Sequence, residues 1–137
     1  MSASAPLIPG PDHPITVETS SAHVVVKAGD SVLADSSNAL TLREANYPPI
    51  YYVPLADVDS ELLESSDTTS YCPYKGDASY YSVRTGAGVV KDAIWFYDEP
   101  YDAVSEIAGH VAFYADRVQI DDSPPDGEVA DSLDSQD

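Results

Sequence analysis

From residue 23 onward the chain is built of short runs in which apolar side chains fall at every second position or fill a few positions in succession, and most runs end at Gly, Pro, Asn or Asp. A period of two belongs to strands, not helices. Residues 23–28 (HVVVKA) and 31–35 (SVLAD) flank Gly29-Asp30 and read as a hairpin. In residues 40–44, Leu40 and Leu42 share one face and Thr41 and Arg43 the other, the alternation of a half-buried strand. Pro48-Pro49 separates it from a short strand at 50–53, which Pro54 closes, and residues 15–18 add an edge strand. Residues 57–64 depart from the pattern: Asp57 or Asp59 can cap a short helix whose Val58, Leu62 and Leu63 turn inward, followed by a loop at 65–69. Strands resume at 78–83 and, after a turn at 86–88, at 89–97, where Trp95 and Tyr97 share one face and Ile94 and Phe96 the other. Large side chains on both faces predict a strand buried on both sides. Val104 and Ile107 place a second short helix at 103–108, which Gly109 stops, and strands at 110–114 and 117–120 end the pattern. The fold class is mainly β: a single small antiparallel barrel or paired-sheet domain of about eight short strands with two short helices.

The ends of the chain differ from this core. Residues 1–14 carry Pro6, Pro9, Pro11 and Pro14 and read as an extended arm; residues 15–120 form the β domain. Residues 121–137 hold seven acidic side chains and no Lys or Arg, the composition of a disordered solvating tail. The net charge of -18 repels phosphate backbones, which excludes nucleic acid as a partner. A leader-like basic and apolar start is absent, as is any run of about eighteen apolar residues, so the expected location is cytoplasmic and no membrane contact is expected. With one cysteine and dispersed His13, His23 and His110, no intrachain disulfide and no structural zinc are expected, and no cofactor is implied.

Candidate chemistry concentrates in residues 71–83, YCPYKGDASYYSV. Pro73 and Gly76 make CPYKG a tight turn. Lys75 near Cys72 would favour a thiolate nucleophile, whereas free cysteine more commonly fills apolar space. An exposed Lys75 beside turn amides could instead hold an anion, with Gly76 letting the backbone approach it closely. Arg43 suits either a salt bridge with a carboxylate or a ligand. Ten tyrosines against two phenylalanines supply many ring hydroxyls that need partners, which suits a polar-lined cavity walled by Tyr80, Tyr81, Trp95 and Tyr97, or else a core whose tyrosines point their hydroxyls out at the rims. Glu99, at the end of the Trp95 strand, could act as a base or close the turn there.

The runs REANYPPIYYVP at residues 43–54, CPYKGDASYYSV at 72–83 and AIWFYDEP followed by AVSEIAGHVAFY within 93–114, together with HPI at 13–15, resemble the family called domain of unknown function 427. The resemblance covers about residues 13–120 and implies a small, mainly β domain. It also brings a nucleotidyltransferase label, without an activity that transfers residue by residue. The expected function is binding of a small polar or anionic ligand in an aromatic pocket lined by Tyr74, Lys75, Trp95 and Tyr97, with Arg43 nearby. The alternatives are an enzyme, either nucleotidyltransferase-like or using Cys72 as a thiol nucleophile with Glu99 as a further catalytic candidate, and a protein interaction module.

Overall fold

A computed structural model describes residues 8–123, and within them the chain forms ten strands in two antiparallel sheets. In chain order they are β1 Ile15–Thr19, β2 His23–Ala28, β3 Ser31–Ser36, β4 Leu40–Glu44, β5 Ile50–Pro54, β6 Leu63–Cys72, β7 Gly76–Thr85, β8 Gly88–Phe96, β9 His110–Phe113 and β10 Gln119–Ser123. The larger sheet has the order β1-β4-β5-β9-β8-β7-β6 and the smaller β10-β2-β3, so the domain is a pair of sheets and not a closed barrel.

Alternation along the central strands divides the apolar residues into two cores. Val53 of β5, Val83 of β7, Ile94 of β8 and Val111 and Phe113 of β9 meet Val24, Val26, Leu33 and Ala34 of the small sheet. The opposite face gathers Leu42, Tyr52, Ala78, Tyr97 and Ala112, and it is closed by Val104 and Ile107 of a 3-10 helix at Asp102–Ile107, with Ile15 and Val17 of β1 packed alongside. The double-sided pattern of residues 94–97 thus has a cause: Ile94 and Phe96 belong to the intersheet core and Trp95 and Tyr97 to the other.

Three sequence expectations are corrected. Residues 57–64 form no helix; 3-10 turns at Leu55–Asp57 and Ser60–Leu62 flank an extended Val58, which is 7% exposed and bridges to Ala34 while Asp59 N–H donates to the Leu33 carbonyl. Asp59 still caps, accepting from the Glu61 N–H at 3.1 Å. Residues 65–69 are part of edge strand β6 and not a loop, because an edge strand tolerates polar side chains; its Ser66 and Thr68 hydroxyls donate to Asp92. Finally, β10 pairs Asp121, Asp122 and Ser123 with Val25, Val24 and His23, so the domain runs three residues into the acidic segment. The remainder of that segment, 124–137, lies outside the described residues, as do residues 1–7 of the arm.

The CPYKG turn does connect β6 and β7, with Cys72 opposite Gly76. Gly76 has φ 112°, and a Cβ there would lie 3.4 Å from the Glu99 carbonyl oxygen. The backbone region is what favours glycine here; a Cβ would only come into contact with the passing 97–101 segment, which is held by a Tyr101 N–H to Lys75 carbonyl bond of 3.0 Å. Gly76→Ala is expected to cost about 1–3 kcal/mol of unfolding free energy in a urea titration. A midpoint unchanged from the parent would show that the turn relaxes freely.

Candidate functional site

Lys75 is the residue the sequence placed least well. Expected on the surface, it is 7% exposed, because the β6–β7 turn folds against the end of β4. A buried ammonium needs a counter-charge. Glu44, the last residue of β4, supplies it: Nζ lies 2.6 Å from Glu44 Oε1. The other carboxylate oxygen, Oε2, lies 2.7 Å from His13 Nε2. A carboxylate only accepts, so that imidazole nitrogen carries the hydrogen. Tyr74 then stacks on the His13 ring at 4.1 Å with 8° between planes. His13 is delivered by a tight reversal in which Gly10 and His13 exchange backbone bonds just before β1.

Burial alone would push the Glu44 carboxyl up, but the hydrogen bonds from Lys75 and His13, with their charge, outweigh it and hold the group below its ordinary value. Cys72 Sγ lies 3.6 Å from Lys75 Nζ, and the half-buried thiol packs on the core around Leu42 and Tyr52. An ammonium has three donors; Glu44 and Cys72 take two.

Beside this cluster lies a cavity of about 380 Å³ lined by Leu42, Glu44, Tyr47, Pro48, Ile50, Tyr52, Lys75, Trp95 and Tyr97. Trp95 Nε1 donates to the Tyr52 hydroxyl at 3.3 Å, with the two rings edge to face. Tyr97 is 7% exposed, and its hydroxyl has no hydrogen-bond partner among the described residues. Burial raises the pKa of both phenols, so Tyr52 and Tyr97 stay protonated and able to donate.

Of the residues singled out from the sequence, Lys75, Trp95 and Tyr97 come together in this cavity. Tyr74 does not line it; its ring is committed to His13. Arg43 is not nearby in the intended sense, since alternation along β4 turns its exposed side chain away from the face of Leu42 and Glu44. The Glu99 side chain is exposed and takes no part in the cluster; the residue's contribution is its main-chain carbonyl against Gly76. Missed were Glu44, His13 and Tyr52. Among the described residues no group of three His, Cys, Asp or Glu side chains is arranged to hold a metal ion, and no helix is long and apolar enough to cross a membrane.

A family model described as a domain of unknown function, DUF427, matches residues 16–123. The chain belongs to that family. The DUF427 match therefore spans all of β2 to β10, including the strand that runs into the acidic segment. The model carries the name NTP_transf_9. No curated protein matches the chain.

Removing either member of the Lys75–Glu44 pair has unequal consequences. Glu44→Gln leaves a buried ammonium without a counter-charge and is expected to cost about 3 kcal/mol, whereas Lys75→Met leaves Glu44 with His13 and costs less. The folded Glu44 pKa lies below its unfolded value, so the pair's stabilisation is complete above the unfolded pKa and fades as pH falls through the folded one. In melts between neutral pH and strong acid, the difference between parent and Glu44→Gln should shrink on the acid side. A constant difference would mean that the pair does not set the acid limb.

Proposed function

We propose that this DUF427 domain binds a small, flat, mostly apolar molecule through one neutral oxygen-bearing group, such as a phenol, alcohol or amide. The observation that carries this reading is the pairing, in one cavity, of the unpartnered Tyr97 hydroxyl with a Lys75 ammonium that has a donor to spare. A buried hydroxyl without a partner costs about 1–3 kcal/mol, and a ligand oxygen would recover it. The walls of Trp95, Tyr52, Ile50 and Leu42 suit a flat apolar body. Glu44 already neutralises Lys75, so a neutral group fits better than the anion the sequence suggested.

A second reading, an enzyme using Cys72, is favoured by the 3.6 Å contact with Lys75. The ammonium's shorter bond goes to Glu44, and the thiol packs on the apolar core, which supports a packing role. Nucleotidyl transfer, suggested by the family name, would bring a triphosphate to a cavity bearing the Glu44 carboxylate on a chain of net charge -18.

Tyr97→Phe discriminates between binding and mere packing. If the hydroxyl waits for a ligand, the variant is expected to match or exceed the parent's melting temperature while para-cresol binding, read from the fluorescence of Trp95, weakens about ten-fold. A clear loss of stability would show that the hydroxyl is already satisfied. For Cys72, iodoacetamide should modify the native protein far more slowly than the urea-unfolded chain, with or without Lys75. Rapid native modification that depends on Lys75 would favour the thiol enzyme.

A further inference from the structure

The inward face of the small sheet breaks its own pattern at one position. Across β10 and β2, Ile120 stands opposite Val26 and Asp122 opposite Val24, and both valines are fully buried against the larger sheet. Side chains two apart on a strand share a face. Asp122 therefore lies on the core side of β10, in line with Ile120, where alternation calls for an apolar residue.

A cavity of about 460 Å³ opens at this place between the sheets. Val24, Val26, Ile120 and Phe113 form its apolar walls, and Tyr51, Trp95 and Tyr114 add three further rings. Among the described residues that line it, Asp122 alone is charged. Its carboxylate is exposed, at the mouth of the cavity. The Tyr51 hydroxyl donates to Asp122 Oδ2 at 2.5 Å, which holds the side chain towards β5, while Oδ1 has no hydrogen-bond partner among the described residues. No lysine or arginine among them makes a salt bridge with this carboxylate. Arg117, over the Tyr114 ring at 5.2 Å, is committed to the Lys91 and Asp92 carbonyls.

We infer that this intersheet cavity is a second binding site and that its ligand is a hydrophobic amine in its ammonium form, with the apolar body between the sheets and the ammonium on Asp122. Apolar walls favour a molecule that is apolar for most of its length, and one carboxylate at the mouth favours a single cationic end. An ammonium gains a charge-assisted hydrogen bond from a carboxylate, and aromatic faces attract the same charge. The net charge of -18 draws cations towards the chain and repels anions. The site does not depend on the reading of the Lys75 cavity, whose polar end is set by donors where this one is set by an acceptor.

Ile50 and Trp95 line both cavities, so tryptophan fluorescence would not separate them; titration calorimetry with variants does. The probes are hexylamine, 1-hexanol and hexanoate, with methylammonium as the cation lacking an apolar body, on the full chain near neutral pH. Hexylamine is expected to bind about ten-fold more tightly than hexanol, and hexanoate and methylammonium not measurably. Asp122→Asn keeps an acceptor for Tyr51 and removes the charge; it should weaken hexylamine about ten-fold and leave hexanol unchanged. Ile120→Phe, which fills the cavity, should abolish hexylamine binding, and Tyr97→Phe, in the other cavity, should not alter it. Failure of hexylamine to bind, affinity no greater than that of hexanol, or indifference to Asp122→Asn would each overturn the inference. Methylammonium binding as tightly as hexylamine would show attraction to surface charge only, and weakening by Tyr97→Phe would place the amine at Lys75; either result overturns it too. Should Ile120→Phe fail to fold, the Asp122→Asn and methylammonium comparisons decide alone.

Discussion

Burying an ammonium is costly enough that everything within reach of Lys75 is arranged around it. The charge must be answered by Glu44, 31 residues away in sequence, and that requirement fixes the β6–β7 turn against the end of β4. Glu44 in turn holds His13 on its second oxygen, and His13 gives Tyr74 a ring to stack on, so the turn and the start of the chain are clasped from both sides. The main chain joins in where the Lys75 carbonyl accepts from Tyr101, next to Gly76, whose positive φ the turn requires. Four stretches remote in sequence meet at one ion pair.

That clasp shapes the cavity beside it. Pulling the turn inward places Lys75 on the same cavity wall as Tyr97. A fully packed core would bury every hydroxyl with a partner, and Tyr52 obeys, accepting from Trp95. Tyr97 does not, and the exception falls at the cavity wall. The same face borders the short β5–β9 ladder, so a thinly paired part of the large sheet lies beside this hydroxyl. On the other side of the sheet, Tyr51 donates to Asp122 at 2.5 Å, which ties β10 to β5 at the rim of the intersheet cleft and pushes the phenol up to about 12.

Sequence reading recovered what is local. Alternation in Leu40–Glu44 and the two-sided pattern around Trp95 placed strands and faces correctly because side-chain period is a property of the strand itself. It failed where a distant partner decides. Ser65 to Thr69 look like a loop until β7 supplies the ladder, and Val58 looks helical until Ala34 bridges to it. Asp121 and Asp122 look like tail until β2 pairs with them. In the site, the aromatic walls and Lys75 were legible as residue types, but the counter-charge was not, because Glu44 and His13 carry no local sign that they will meet a lysine across the domain.

The distribution of positive charge gives the last constraint on what the cavity can hold. Six Lys and Arg residues serve a chain of net charge -18. Lys75 is answered by Glu44, the Arg117 guanidinium donates to the Lys91 and Asp92 carbonyls, and Arg84 donates to the Glu61 carbonyl. Arg43 stands on the opposite face of β4 from the cavity. An anion approaching the site would therefore cross a repulsive field and arrive at a lysine whose charge is already matched. A neutral molecule feels little of that field, and its oxygen can still accept the remaining Lys75 hydrogen. Charge balance, more than cavity shape, is what turns the reading from an anion site towards a neutral, partly apolar ligand.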